Sequence, residues 1–439
     1  MIIRNLWNRR RSNLWLFIEL ILVSILTWVI VDPIAVVTSD LNMPLGYDAD
    51  RLVALQLNSY PNSSELYRAE NDSVDTANSQ LDAIMAKLRA YPEVKYASCI
   101  YSMWGGAPGM SSTSWNYFIT GDSIIDKKLK SVLVFEVDAG ENTLETFGFK
   151  SVPGSMTVEE ISSKPLGDRE IVLSKEMAER YFPGRNAIGQ YLISNIDRET
   201  GDTSKIKVVG LVSGVKWHSM MRSYDLVVKS SAPDRKRRLN STKIVLRLND
   251  NTDRNDFIAA FKPWAAKNLC EGNYFVQSVL SYDDVIRKTE DDYRIHSQNT
   301  LKYILGAFFV VNLILGTIGC FWLQTRRRVE EIGIRRSFGA TRGRIVRMLV
   351  SESVILATAA FIIGDLIYLQ YALKEGLDQG YVNNNGLNLV DNWINHFGQH
   401  FIIVSAIVYL IIIVAVIIGT LIPAVKAASV NPVDALRDE

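Results

Sequence analysis

Two histidines, His396 and His400, have the spacing in this 439-residue chain that best suits a metal ion. Positions i and i+4 share one face of a helix, where two imidazoles can ligate the same metal. Gly398 lies between them and weakens the helix that this arrangement needs. We therefore expect no metal site and no catalytic residue, because the sequence also contains no H-E-x-x-H, G-x-S-x-G or C-x-x-C motif.

Three acidic residues, Glu19, Glu352 and Asp365, fall in or near long apolar segments. A charged group is unfavourable in hydrocarbon and normally faces the interior of a helix bundle. One interpretation is a proton relay. The interpretation we favour is hydrogen bonding between helices, or pairing with arginines near the membrane surface.

The three cysteines are too few for a disulfide framework and lack the spacing of a zinc site. Cys320 lies in an apolar run, which leaves Cys99 and Cys270 as the only possible pair outside the membrane. We expect both to be unpaired, small, buried side chains.

The composition predicts a few membrane helices together with a sizeable water-soluble domain. Hydrophobic residues make up 48% of the chain, yet 22% of the residues are charged. The formal net charge is +1, and no long basic tract is interleaved with aromatic residues. We therefore expect no nucleic-acid partner.

Four apolar segments are long enough to cross a bilayer, which takes roughly 20 helical residues. They cover residues 14–37, 299–325, 348–373 and 401–422. The first has arginines before it, as a signal peptide would. Its apolar region is too long for a signal peptide and no small-residue cleavage site follows, so we interpret it as an uncleaved anchor.

The basic residues predict the orientation of these spans. Arginines precede the first span at positions 4 and 9–11, and eight more lie between residues 326 and 347. The loop 374–400 carries Glu375, Asp378 and Asp391 and is poor in lysine and arginine. Because positive charge stays on the cytoplasmic side, residues 1–13, 326–347 and 423–439 are predicted to be cytoplasmic. Residues 38–298 and 374–400 are then external, on the periplasmic side.

The external segment shows two strand–helix–strand patterns, at about residues 48–109 and 241–282. Their strands alternate with period two and their helices repeat near 3.6. Two such units far apart in sequence predict a split ferredoxin-like subdomain, with a β-rich insertion at about residues 110–240. The predicted fold is therefore an α-helical membrane protein with four transmembrane helices plus an α+β periplasmic domain.

Two further segments of the external part invite an interpretation. Residues 283–298 contain no proline or glycine, so we predict a stalk that continues as helix into the second span. The cluster of Arg235, Lys236, Arg237 and Arg238 is interpreted as a solvated linker or hinge.

The basic segment 326–347 reads as a helix, a break and a second helix, and we call it the elbow. Gly339 suits a left-handed helix end and Thr341 can cap the helix that follows. Apolar contacts are expected from Ile332, Ile334 and Phe338, and polar ones from Arg335 and Arg336. Such a surface could dock onto a soluble partner. The alternative is a positive loop that fixes topology and lies on anionic headgroups.

This segment resembles the coupling segment of the MacB/FtsX-type ABC transporter permeases. The matching residues are Glu331, Gly333, Arg335, Arg336, Gly339, Ala340 and Thr341. The similarity continues at Glu352 and Gly364 in the third span. It reappears in "PAVKAASVNPVDALRDE" at the C-terminus and in "EIVLSKEMAERYFPGRNAIGQYL" of the external domain. Arg344 departs from the pattern, since members of the family often have an acidic residue there.

The resemblance implies a permease that couples cytoplasmic ATP hydrolysis to movement of its periplasmic part and works as a dimer. The sequence has no G-x-x-x-x-G-K-[ST] loop and only about a dozen residues before the first span. We therefore expect a separate ABC ATPase subunit that uses ATP and Mg²⁺, with no cofactor bound by this chain.

The resemblance also sets the expected surroundings. The expected location is the inner membrane, in contact with its lipids, and the second permease would be an identical chain or a paralogue. A periplasmic or outer-membrane partner is left open. Expected roles are efflux of a peptide or amphiphile, lipoprotein release, or activation of an envelope enzyme. The alternative is a periplasmic ligand sensor or scaffold without ATP coupling, which lacks a visible cytoplasmic output domain.

Small residues four positions apart suggest close helix packing in two places. The pairs are Gly316 with Cys320 and Ala415 with Gly419. These faces either form the seam between two permeases or pack within one chain.

Overall fold

The computed structural model describes residues 10–101, 112–115, 118–119, 132–138, 140, 142–164, 166–196, 203–216, 219–223, 225–229, 242–292, 294–326, 328–380 and 390–429. The basic cluster at 235–238 and the C-terminal residues from 430 onward lie outside this set. The chain divides into two compact units. A helical unit contains Met1–Ser39, His296–Gly380 and Asn392–Glu439, and a mixed unit contains Asp40–Ile295 and Tyr381–Asp391.

The described helices are, in chain order, α1 (Arg10–Asn42), α2 (Val74–Arg89), α3 (Thr143–Phe147), α4 (Val158–Ser163), α5 (Lys175–Tyr181), α6 (Arg254–Asn268), α7 (Tyr282–Asp292), α8 (Ile295–Arg326), α9 (Val329–Ser337), α10 (Arg342–Glu375) and α11 (Phe397–Ser429). The described strands are β1 (Leu52–Ser59), β2 (Val94–Tyr101), β3 (Ser112–Trp115), β4 (Phe118–Ile119), β5 (Val132–Asp138), β6 (Glu170–Ser174), β7 (Tyr191–Ile196), β8 (Thr203–Val212), β9 (Leu226–Lys229), β10 (Thr242–Leu248) and β11 (Tyr274–Ser281).

The first sheet of the mixed unit joins the two predicted strand–helix–strand segments. Its order is β11-β1-β10-β2, and every neighbouring pair is antiparallel. Strands from the two halves therefore alternate, as in a ferredoxin-like fold. The predicted split ferredoxin-like arrangement is confirmed.

Helices α2 and α6 contribute to one core with this sheet. Ser73 accepts a hydrogen bond from the Thr76 amide and so begins α2. The helices contribute Leu81, Ile84, Leu88, Phe257 and Phe261 to that core. Strand β1 contributes alternate residues to it, namely Val53, Leu55 and Leu57. The period-two and period-3.6 patterns of the sequence therefore mark one continuous core.

The predicted β-rich insertion forms a second, seven-stranded sheet. Its order is β3-β5-β9-β6-β8-β7-β4, with β5 parallel to β9 and β6 parallel to β8. Leu52 and Ala54 of the first sheet share a core with Phe147, Val172 and Val212. Both faces of β1 are buried, which explains why its first four residues are all apolar and buried.

The predicted continuous stalk is wrong. Helix α7 ends at Asp292 and α8 begins at Ile295. Between them Arg294 has φ 57°, and its amide donates to the Asp291 carbonyl at 2.9 Å. The left-handed backbone conformation of Arg294 is incompatible with a continuing α-helix.

Among the residues that the structure describes, four helices are long and apolar enough to span a membrane, as predicted. The segments are Leu14–Asn42, Asn299–Leu323, Arg342–Glu375 and Phe397–Ser429. The last helix continues beyond residue 422, where the sequence predicts a tail. Pro423 lies inside it and is buried, so this proline does not end the helix.

The helical unit is held together by close contacts between its spans. The indole of Trp28 stacks on Tyr368 and on Phe401, with ring centroids 4.6 and 5.0 Å apart. A Cβ on Gly419 would lie 2.9 Å from Thr317 Oγ1 of α8. The face containing Gly419 therefore packs within the chain, which is one of the two alternatives for the small-residue pairs.

Candidate functional site

The elbow folds as the short helix α9, a tight turn and the start of α10. The Gly339 amide donates to the Arg336 carbonyl at 3.0 Å, and the Ala340 amide donates to the Arg335 carbonyl at 3.1 Å. With φ 88° at Gly339, these bonds form a Schellman motif. Thr341 then caps α10 by accepting from the Arg344 amide. The turn is closed by its own hydrogen bonds, so it holds its shape.

The elbow has one apolar face turned inward and one turned outward. Phe338 is 88% exposed and Ile334 is 47% exposed, whereas Ile332 is only 2% exposed. The expectation that all three form one contact surface is therefore wrong for Ile332. Residues 332 and 334 lie about 200° apart around a helix, while 334 and 338 share a face.

Ile332 instead ties the elbow to the helical unit. It belongs to a small core formed by the following residues of α10 and α11: Ile345, Leu349, Ala424, Ala427 and Ala428. Gly333 is buried and Ala340 packs at the edge of this core. Helix α9 is therefore packed against parts of both α10 and α11.

The elbow arginines are engaged within the chain. Arg335 donates to Glu331 at 2.9 Å, in an i, i+4 pair that is about one-third exposed. The same guanidinium lies 3.0 Å from the Met348 sulfur of α10. Arg336 is half-buried. Arg335 and Glu331 are thus oriented by each other, and Phe338 is the more exposed of the two outward-facing apolar side chains, Ile334 and Phe338.

The three intramembrane acids each contact a different helix or segment. Asp365 accepts from Trp28 Nε1 and from Ser405 Oγ, both at 2.8 Å. Cys320 Sγ lies 3.0 Å from Glu19 Oε2. Their partners make interhelical hydrogen bonding, the interpretation we favoured, the better account of Glu19 and Asp365.

Glu352 takes the other expected form, an acid that meets an arginine. Arg328 Nη1 lies 2.5 Å from Glu352 Oε2, and both side chains are nearly buried. In the part of the chain that the structure describes, Glu352, Glu19 and Asp365 therefore each have different partners.

Sequence reasoning missed a fourth intramembrane acid, Asp32. His400 Nε2 lies 2.7 Å from Asp32 Oδ1, and His400 Nδ1 lies 3.1 Å from the Ile394 carbonyl. Both ring nitrogens of His400 are therefore engaged, whereas His396 is exposed. The sequence signal that could have identified Asp32 is its position inside the apolar run of the first span. Among the described residues, no three His, Cys, Asp or Glu side chains form a metal-binding group.

A buried lysine in the mixed unit was also missed. Lys216 is 1% exposed and donates to the carbonyl oxygens of Asp40 and Met43, at 2.5 and 2.9 Å. These carbonyls are at the C-terminal end of α1, where a cation is favourable. Burial lowers the pKa of Lys216 to about 8, although the charges of Asp40 and Glu290 oppose that shift.

None of the three cysteines takes part in a disulfide bond. Cys99 is buried, but Cys270 is exposed, contrary to the expectation that both are buried. Cys270 follows α6, and its thiol lies 3.3 Å from the Ala266 carbonyl.

Two family models match this chain. One described as a MacB-like periplasmic core domain covers residues 41–263, and one described as FtsX-like permease C-terminal covers residues 303–432. The first alone spans half of the chain. The chain therefore belongs to the MacB/FtsX-type ABC transporter permeases, and it is a multi-pass membrane protein with an external domain.

Individual relatives agree with this assignment. The chain is 28% identical over 313 residues to the pyoverdine export ATP-binding/permease protein PvdT of Pseudomonas putida, covering 68% of this chain and 42% of that protein. It is 30% identical over 165 residues to the uncharacterized ABC transporter permease YknZ of Bacillus subtilis, covering 34% and 38%. The macrolide export ATP-binding/permease protein MacB of Neisseria gonorrhoeae is 30% identical over 148 residues, covering 32% and 20%. The chain thus spans about two fifths or less of the length of these relatives.

Solved structures of similar external domains were also found. The periplasmic region of MacB from Actinobacillus actinomycetemcomitans aligns with 57% of this chain and 98% of its own, at 12% identity and a TM-score of 0.30. The extracellular domain of YknZ aligns with 51% of this chain and all of its own, at 12% identity and a TM-score of 0.28.

Proposed function

We propose that this permease is a mechanotransmitter. A separate cytoplasmic ABC ATPase binds the elbow, and its ATP hydrolysis changes the shape of the mixed unit. Because the mixed unit would lie outside the membrane, we also call it the external unit. The observation that carries this proposal is Phe338, 88% exposed on a turn that is closed by its own hydrogen bonds. A rigid exposed aromatic side chain is a typical anchor for a pocket on a partner.

The charges beside Phe338 indicate what kind of pocket would receive it. Arg342 and Arg344 begin α10 and are exposed. An apolar socket with an acidic rim would complement this surface, because opposite charges guide association and exclude other partners. The ATPase, and not this chain, would bind ATP and Mg²⁺.

The inner face of the elbow supports transmission. Ile332 packs in one core with residues of α10 and α11, so a displacement of the docked elbow would move the ends of two spans. Close packing transmits such displacements because protein interiors have low compressibility.

The wider assignment follows the family. We place the chain in the inner membrane with the elbow in the cytoplasm, because positive charge stays on that side. A second permease, identical or a paralogue, would complete the dimer. Work on the external side would be export of a peptide or amphiphile, release of a lipoprotein, or activation of an envelope partner. A periplasmic or outer-membrane partner would receive the exported molecule or the released lipoprotein.

The test is binding of an ATPase to the purified full-length chain. The ATPase that co-purifies from native membranes is identified, expressed alone, and its affinity for the chain is measured in detergent. Phe338→Asp should weaken binding by about 30-fold, the loss expected of a hot-spot residue. Leu66→Asp is the matched control, since Leu66 is 58% exposed and lies in the mixed unit.

The outcomes separate the two functional classes. Reversing the charges of Arg335 and Arg336 is a less specific test than Phe338→Asp, because Arg335 also contacts Glu331 and Met348. If Phe338→Asp binds the ATPase as tightly as Leu66→Asp does, the elbow is not the docking surface. If no ATPase binds the wild-type chain, a sensor or scaffold becomes the better description.

A further inference from the structure

A buried ion pair joins the start of the elbow to α10. Arg328 precedes α9, and its Nη1 is 2.5 Å from Oε2 of Glu352 in α10. The two side chains are 11% and 8% exposed. The Arg328 amide also donates to the Thr325 carbonyl of α8 at 2.9 Å. Arg328 therefore connects three elements: the end of α8, the start of α9, and Glu352 of α10.

The pair borders a small polar cavity. Its other lining residues come from three spans: Phe321, Thr325, Leu349, Ser353, Leu356 and Thr420. The cavity measures about 10 Å³, close to the space that one water molecule needs. Thr420 Oγ1 is buried and has no hydrogen-bond partner within the part of the chain that the structure describes.

Such a pair is suited to hold two elements at a fixed distance. Separating the charges in an apolar surrounding leaves each one unpaired, which is strongly unfavourable. A buried ion pair adds little net stability compared with apolar packing, so its particular use is to fix one arrangement. Here that arrangement is α9 against α10.

We propose that Arg328 and Glu352 are positioning residues for coupling, an inference that rests on the proposed function. The pair makes α9 and α10 move together, so that a push on the docked elbow reaches the spans. Neither residue belongs to the exposed docking surface around Phe338. Loss of the pair should therefore spare ATPase binding and weaken the response of the external unit.

The experiment measures binding and response separately on the reconstituted complex of the full-length chain and its ATPase. Cys270 is the exposed cysteine and lies in the mixed unit, so an environment-sensitive dye on its thiol reports changes there. A Cys270→Ser variant checks that the signal comes from this site. Affinity for the ATPase and the ATP-dependent dye signal are then recorded for each variant.

Four variants are compared. Arg328→Gln and Glu352→Gln remove one charge each, and the double variant Arg328→Glu with Glu352→Arg restores the pair in reverse. Arg326→Gln is the control, because Arg326 is a nearby exposed arginine. The single variants should keep wild-type affinity and lose about 10-fold in response, the size of a typical coupling. The swap should recover the response, and the control should match wild type.

Each result that contradicts these expectations would lead to a different conclusion. Wild-type binding together with a wild-type response in both single variants would overturn the role of the pair and leave the proposed function intact. Loss of binding in the single variants would place the pair at the docking surface and overturn its separate role. If the single variants fold poorly, the swap decides, and a well-folded swap without a response would overturn the proposal. A wild-type chain that binds no ATPase would overturn the proposed function itself.

Discussion

His400 Nε2 lies 2.7 Å from Asp32 Oδ1, and both side chains are buried in the helical unit. The second carboxylate oxygen of Asp32 accepts the Asp378 amide at 3.0 Å, and His400 Nδ1 faces the Ile394 carbonyl. Through these bonds the first span is joined to the start of the last one and to the segment that follows α10. The ring of Trp393 packs edge-on against His400 and covers it.

Asp32→Ala should strongly destabilise the helical unit. It removes the hydrogen-bond partner of a buried imidazole and of the Asp378 amide, and each buried group left unsatisfied costs about 1–3 kcal/mol. Thermal unfolding of the full-length chain in detergent gives the measurement. His396→Ala is the control and should change stability by less than about 0.5 kcal/mol, because His396 is exposed. Equal behaviour of the two variants would contradict the importance of the pair.

Lys216 should make stability depend on pH at the alkaline end. Its pKa is about 8 in the folded chain against an ordinary value of 10.5, because burial disfavours the charged form. Between these two values the unfolded chain binds more protons, so the free energy of unfolding should rise with pH, by about 3 kcal/mol in all at about 1.4 kcal/mol per pKa unit.

The measurement is the difference between wild type and Lys216→Met across that pH window. The variant should lose this rise, and Lys207→Met should retain it because Lys207 is exposed. An identical pH dependence in wild type and Lys216→Met would show that burial of this lysine does not disfavour its charge.

Gly364 should tolerate no side chain. A Cβ there would lie 2.8 Å from the Ser24 Cβ and 3.1 Å from the Ile21 carbonyl oxygen of α1. We expect Gly364→Ala to lower the free energy of unfolding by about 1–3 kcal/mol, since close-packed helices resist an added methyl group.

Gly316 is the matched control for this substitution. A Cβ at this position meets no atom within 4 Å, so Gly316→Ala should be neutral or stabilise the helix by up to about 1 kcal/mol. Chemical denaturation of both variants in detergent makes the comparison. If Gly316→Ala is as damaging as Gly364→Ala, Gly316 packs against a second copy of the chain.

Much of the fold could be predicted because its patterns are local. The two strand–helix–strand segments carry apolar residues at periods of two and 3.6, and the four spans are marked by length and hydropathy. Within the insertion, strands such as β9 are too short, at four residues, to show a period of their own. The helix break at Arg294 could not be predicted, because no glycine or proline marks it in the sequence.

The candidate site was predictable in its backbone and only partly in its side chains. Gly339 and Thr341 have the conformations that their residue types favour. The inward direction of Ile332 follows from helical geometry, but its partners in α11 do not, because they lie far along the chain. The pairs Arg328–Glu352 and Asp32–His400 are also non-local, and no spacing rule connects such residues.

The central claim is that movement driven by ATP hydrolysis in the ATPase is transmitted through the elbow and changes the conformation of the external unit. Its most direct test is the ATP-dependent signal of a dye on Cys270 in the reconstituted complex, compared between wild type and Phe338→Asp at an ATPase concentration that saturates wild type. The account predicts a clear signal in wild type and its loss in Phe338→Asp, with Leu66→Asp behaving as wild type. A wild-type complex that hydrolyses ATP without any change at Cys270, or a Phe338→Asp complex that responds fully, would contradict it.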